Sequence, residues 1–310
     1  MKKMSEGKKM FVSVMTIFVV YAVVFILFED YDRKWFEPFN EISDWHLLLF
    51  SVVVMGGLGL LLYRYAHRMD ERINREQATK ENLMRRELTQ NIAHELKTPV
   101  ASILGYTETI LHTPGITAEQ QRVFTERTLK QAQRLTSLLT DISTLNRMDY
   151  AADLLVMERV DVSDIVNEIA DETAHAFHQR QMTFSNCLPS DIIVIGNEQL
   201  LYSIFRNLID NALAYAGEGS TVRLTADEAE SRWNFTFSDN GPGIASQHLP
   251  RIFERFFRVD KSRSRQIGGT GLGLAIVKNA VLLHGGTIAI RSQLGKGTSF
   301  DFSILKKSGK

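Results

Sequence analysis

N-I-A-H-E-L-K-T-P-V, residues 91–100, places His94 beside Glu95, Thr98 four positions on and Pro99 directly behind. A zinc-binding helix would read H-E-x-x-H, with histidines at i and i+4 on one face. Here the i+4 residue is Thr98, whose hydroxyl is a poor zinc ligand, so His94 needs another chemistry. Upstream and downstream, Leu88, Ile92, Leu96, Val100 and Ile103 recur at spacings of three and four, which predicts one apolar face of a helix. Pro99 removes a helical hydrogen bond about one turn back, near His94 and Glu95.

The next break is H-T-P-G at 112–115, after which Thr117 and Gln120 read as a capping box. A second helix follows with Leu135, Leu138, Leu139, Ile142 and Leu145 as its stripe. Two amphipathic helices joined by a short turn form an antiparallel hairpin. Alone it leaves both stripes wet, and pairing two copies into a four-helix bundle covers them.

The 310 residues carry a formal net charge of zero, with no bias towards nucleic acid. The single cysteine, Cys187, excludes a disulfide framework and is expected to be a buried, inert thiol. Met10 to Phe28 and Leu47 to Tyr63 contain no Asp, Glu, Lys or Arg, and each is about long enough to cross ~30 Å of hydrocarbon. Trp45 and Tyr63 flank the second run as interfacial aromatics would. Lys2, Lys3, Lys8 and Lys9 precede the first run, and Arg64, Arg68, Arg72 and Arg75 follow the second. The intervening Glu29–Asp44 segment holds six acids and two bases, so the positive-inside rule puts both termini in the cytoplasm. Residues 65–87 read as a charged helix leaving the membrane.

Beyond Met148, strands are expected at 191–196, 233–239, 287–290 and 298–304, and helices at 162–180, 198–216 and 272–284. Without strict strand–helix alternation, this predicts a mixed sheet covered by helices on one face, an α+β sandwich. N-L-I-D-N-A-L-A-Y (207–215) spaces Asn207, Asn211 and Tyr215 along one face of an apolar helix. Buried amides need partners, so that face is expected to meet a ligand or metal-bound water. D-N-G-P-G (239–243) ends a strand; Asp239 can accept from an exocyclic amine, and Gly241 and Gly243 let the backbone approach a flat ligand. G-G-T-G-L-G-L (268–274), with Gly269, Thr270, Gly271, Leu272 and Gly273, opens a helix whose N–H groups suit phosphate. No G-K-[ST] follows, so it is not a Walker loop, and no strand immediately precedes it, so it is not a Rossmann fingerprint. Between the glycine boxes, F-E-R-F-F-R (253–258) and K-S-R-S-R (261–265) read as a lid over an anionic ligand. A solvated loop explains their charges but not the three phenylalanines.

Taken in order, H-E-L-K-T-P, N-L-I-D-N-A, D-N-G-P-G-I, F-E-R-F-F-R, G-T-G-L-G-L and G-K-G-T-S-F resemble the sensor histidine kinases of two-component systems over about 88–305. The resemblance implies a multidomain protein. Transmembrane helices at 10–28 and 45–65 would enclose a short extracytoplasmic loop at 29–44, with a cytoplasmic N-terminus at 1–9. A signalling helix at 66–87 would lead into a dimerisation and phosphotransfer hairpin at 88–150, forming a dimeric four-helix bundle. An α+β sandwich ATP-binding domain would occupy 151–310. It further implies that His94 is the phosphoacceptor, Asn211 holds Mg²⁺, Asp239 reads the adenine amine of ATP, the glycines shape the pocket, and Arg258 meets phosphate. Glu95 would hold the second imidazole N–H and stabilise the ring's positive charge during attack. Thr98 would orient a water that dephosphorylates the partner. The implied partners are a response regulator receiver domain, a second copy of the chain, the inner (cytoplasmic) membrane that it crosses twice, and a membrane-protein regulator, with no direct nucleic acid.

The chain departs from the family at Ala214, where many members carry a lysine or arginine beside the tyrosine. It also leaves no room for a relay module after the membrane. Other readings are a weak nucleotide-binding signalling scaffold, a zinc protease, and a chaperone-like ATPase without phosphotransfer. His46, His67, His112, His175, His178, His248 and His284 are read as interfacial, surface or packing residues.

Overall fold

The computed structural model describes Thr16, residues 44–259 and residues 269–306; side chains at 44–50 and at several positions from 76 to 87 are not described. The first apolar run (Thr16 apart), nearly all of the acidic loop and the basic stretch 261–265 thus lie outside the described residues. The chain divides into two compact units, 1–87 and 88–310. Helix α1 (Asp44–His112) has residues in both.

In the first unit, α1 leaves Val53, Leu60 and Leu61 exposed, then turns polar, with Glu71 paired to His67 and Arg75. Among the described residues no helix is long and apolar enough to cross a membrane. The second expected span also needs the side chains at 45–50, which are not described.

In the second unit, the helix runs on through Pro99. Gly115 turns the chain with φ of 76°, and α2 (Ala118–Tyr150) begins at the expected capping box. The Gln120 N–H donates to the Thr117 hydroxyl at 3.2 Å, and the Thr117 N–H donates to Oε1 of Gln120 at 3.0 Å. The stripe of α2 divides its contacts. Leu138, Leu145 and Met148 are buried in one continuous core with the domain that follows, whereas Leu139 is half exposed. Part of the stripe expected to face a bundle is therefore covered within the chain.

After β1 (Glu158–Asp161) come α3 (Val162–Gln179), β2 (Thr183–Cys187), β3 (Ile193–Gly196) and α4 (Glu198–Tyr215). Then follow β4 (Thr221–Glu228), β5 (Arg232–Asp239), α5 (Gly273–Leu283), β6 (Ile288–Gln293) and β7 (Gly297–Leu305). β1 and β3 pair antiparallel; the larger sheet runs β2-β4-β5-β7-β6, with β2 parallel to β4 and the other pairs antiparallel. Period-two patterning explains its sidedness. Phe235, Phe237, Phe300 and Phe302 are buried on one face, where Phe235 stacks on Phe302 with centroids 5.1 Å apart and Phe205 of α4 meets both rings. On the other face Thr236 and Arg291 bond to Asp301, a polar surface. The mixed, one-side-covered sheet matches expectation. β1, β2 and β4 do not appear in the sequence reading; β1 and β2 are short. Cys187 is exposed at the end of edge strand β2, not buried as expected, because an edge position leaves its side chain without a covering layer.

Candidate functional site

His94 is exposed on α1, and Thr98 donates to the His94 carbonyl at 3.4 Å, one turn below. Neighbours one apart on a helix are turned about 100°, and with the hairpin docked the Glu95 carboxylate is engaged away from His94. Its Oε2 accepts from Arg134 of α2 at 3.4 Å and from Arg258 at 2.9 Å. Arg258 and Glu95 side chains retain only 6% and 17% of their exposure, so this pair is largely withdrawn from solvent.

A cavity of about 710 Å³ opens in the second unit, within the range of small-molecule sites. Asn207, Asn211 and Tyr215 of α4 line it, as do Asp239, Gly243, Arg258, Gly269, Thr270, Gly271 and Gly273. The asparagine face, the aspartate turn and the glycine-rich turn, far apart in sequence, thus meet in one place. Gly241 is buried beside this wall and Leu272 is buried beneath the turn. Ala214 also lines the cavity.

The tertiary structure explains each position. Asp239 ends β5, where the Gly241 N–H donates to its Oδ1 at 2.8 Å. Burial pushes its carboxyl above the ordinary value, opposed by bonds from the Gly241 and Thr298 backbones. A Cβ on Gly241 would come 2.6 Å from the Ala216 backbone, so the turn can lie against α4 only as glycine. Gly271, with φ of 76°, packs against the Phe256 backbone and accepts from its N–H at 2.8 Å. Arg258 donates to the Gly269 carbonyl at 2.7 Å. The phenylalanine segment is thereby tied to the glycine turn, and Phe253 anchors it edge-on against Phe300. Asn207 donates to the Ser203 carbonyl at 2.7 Å, and its Oδ1 lies against Gly273. α5 starts there without a side-chain cap, which leaves first-turn N–H groups for an anion. Nε of Arg258 is buried without a hydrogen-bond partner against Gly271, a donor suited to an anionic oxygen.

These features fit a nucleotide: an acceptor for a base amine, close-approach glycines, and donors at a helix start. The amide oxygens of Asn207 and Asn211 are hard donors of the kind Mg²⁺ accepts alongside water and substrate phosphates.

Several lining residues escaped the sequence reading. Ser137 and Asp141 come from α2, and Arg206 and Asp210 from α4. Arg206 bonds Asp210 at 3.1 Å and also pairs with Glu172, to which Tyr202 donates at 2.8 Å. The i, i+4 spacing of Arg206 and Asp210 was the available signal. Asp141 had none; its Oδ2 accepts from the Thr270 hydroxyl at 2.7 Å. Away from the cavity, buried His284 proves to be more than packing. Its Nδ1 must donate to the Ala280 carbonyl at 2.7 Å, so Nε2 accepts from the Asn197 N–H at 3.0 Å.

Residues 84–151 match the family model described as the His Kinase A (phospho-acceptor) domain. Residues 196–308 match that of the histidine kinase-, DNA gyrase B- and HSP90-like ATPase. The sensor-like histidine kinase SenX3 of Mycolicibacterium smegmatis is 37% identical over 220 residues, 71% of this chain and 57% of the relative. The chain spans about half the length of the curated relatives it matches. The solved structure of Acinetobacter baumannii histidine kinase AdeS is similar with a TM-score of 0.57 at 26% identity, covering 69% of this chain and 98% of that one. Full-length ShkA in complex with AMPPNP gives 0.53 at 28% identity, covering 71% and 47%. With a phospho-acceptor hairpin and an ATPase domain of this type in tandem, the chain belongs to the sensor histidine kinases of two-component systems.

Proposed function

We propose that the protein is a membrane-bound, ATP-dependent protein-histidine kinase that phosphorylates His94 and passes the phosphoryl group to an aspartate of a response regulator. The observation that carries this reading is the convergence, beside a hairpin with an exposed His94, of Asn207, Asn211, Asp239 and the glycine turn on one cavity.

A free ring nitrogen of His94 attacks the γ-phosphorus of ATP in line. The bond from that phosphorus to the β,γ-bridging oxygen breaks, and ADP leaves with the electron pair. Once Arg258 has left it, Glu95 takes the hydrogen bond of the other ring N–H and stabilises the positive charge that develops on the imidazole. Asp239 accepts from the adenine amine; Gly241 and Gly243 admit the ring; Gly269, Thr270, Gly271 and Gly273 present donors to the phosphates, joined by Arg258, with Leu272 buried beneath them as support. Asn211 would hold Mg²⁺, which would supply charge neutralisation for the phosphates. Thr98 orients the water for the reverse task, removal of phosphate from the regulator.

The domain scheme follows the same reading: spans at 10–28 and 45–65, a signalling helix at 66–87, a hairpin at 88–150 and the ATP-binding domain at 151–310. Charge-free runs and the lysine and arginine asymmetry support the membrane topology. Val100, Leu104, Leu129 and Leu139, exposed on the hairpin, support a homodimeric bundle. With so short an external segment, the membrane or a membrane-protein regulator supplies the stimulus.

Incubation of the purified full chain with radiolabelled ATP tests the proposal. Label that acid removes and alkali spares is expected on the parent and absent from His94→Gln. Equal labelling of that variant would overturn it.

A further inference from the structure

Besides the shared core, three hairpin carboxylates reach the ATP-binding domain. Asp149 accepts twice from Arg255 at 2.8 Å. Glu95 and Asp141 differ from it, because their partners, Arg258 and Thr270, line the cavity. The Thr270 hydroxyl accepts from the Leu272 N–H at 3.2 Å and so points its single proton at Asp141. A phosphate oxygen reaching for that hydroxyl finds the proton already engaged.

The charges around the cavity tell the same story. Asp141, Asp210 and Asp239 line it, against Arg206 and Arg258. Arg206 is held by Glu172 and Asp210, and Arg258 by Glu95. Among the described residues, then, no lysine or arginine of the lining lacks a carboxylate partner. Over the described lining, three carboxylates stand against two guanidinium groups. The seat of Asp141 is also a poor one for a carboxylate, since burial pushes its carboxyl above the ordinary value and Asp210 adds like-charge repulsion.

We propose that Asp141 is a displaceable plug: with the hairpin docked it takes the place of a phosphate oxygen on Thr270, so hairpin and ATP compete for the glycine-rich turn. Binding energy at the phosphates is thereby coupled to release of the hairpin, and the coupling is reciprocal. Loss of the dock also parts Arg258 from Glu95. One event then hands Arg258 to the nucleotide and Glu95 to His94. This rests on the kinase reading of the cavity.

The test is equilibrium binding of ATP and of adenosine to the purified full chain, parent against Asp141→Ala. ATP is expected to bind the variant about three- to tenfold more tightly, at the low end of typical coupling, while adenosine, which carries no phosphate, stays within about twofold. Asp141→Asn keeps the shape, loses the charge, and is expected to move the same way should alanine unsettle the hairpin. Unchanged ATP affinity in both variants, or adenosine tightened as much as ATP, would overturn the plug while leaving the kinase reading intact. No ATP binding by the parent or either variant would sink the kinase reading and the plug with it.

Discussion

One oxygen of Glu95 carries two arginines, 39 and 163 residues away in the chain. Such a pairing has no local signature, which is why sequence points to Glu95 as a partner of His94 and not of Arg258. Asp141 was hidden for a related reason: a lone aspartate on an amphipathic helix reads as its wet side. Asp239, by contrast, was legible because its chemistry is set by its own neighbours, a strand before it and two glycines after. That locality yields a prediction. Asp239→Asn keeps the size but replaces a charged acceptor by an amide and can turn a donor towards the base. ATP affinity is expected to fall about tenfold or more, since a hydrogen bond to a charged group contributes roughly 1.5–3 kcal/mol. Binding titration of the full chain checks this, and parental affinity would contradict it.

Helical periodicity announces that a face is apolar but not what covers it. In α2 the expected stripe splits, with Leu145 inside the core shared with the ATP-binding domain and Leu139 outside it. The two kinds of position should therefore respond differently. Leu104→Asp, at a side chain 57% exposed within one chain, is expected to turn the proposed dimer into a monomer with the fold of each domain retained. Leu145→Ala should leave the proposed dimer in place and cost about 2–5 kcal/mol of packing where the hairpin meets the ATP-binding domain. Sedimentation of both variants, with hydrogen exchange over α2, separates these outcomes. The capping box at Thr117 and the turn at Gly115 were readable because both depend on adjacent residues. β2 was not, since a short edge strand carries little alternation, and β4 went unread although Val222, Leu224 and Ala226 alternate with polar residues.

For the whole molecule, the order of the boxes along the chain was the strongest sequence signal, and the fold explains it by bringing them to one cavity. Away from that cavity, His284 links the end of α5 to the start of α4 through Asn197. Burial holds this imidazole below its ordinary value of 6.5. As pH falls, the unfolded chain takes up the proton first, so the stability contributed by the neutral ring is complete above about 6.5 and is lost below it. Urea midpoints of the full chain are expected to drop between pH 7.5 and pH 5.5. In His284→Gln the drop should be smaller, from a starting stability lowered by roughly 1–3 kcal/mol. An identical pH slope in parent and variant would show that His284 has no part in it.

The exposed thiol at the end of β2 has a practical corollary. Because Cys187 is the chain's sole cysteine and stands outside the cavity lining, a maleimide dye will attach at a single place in the native sequence. Paired with a fluorescent nucleotide or a quencher on the hairpin, that dye would follow in real time whether the catalytic domain swings when ATP arrives.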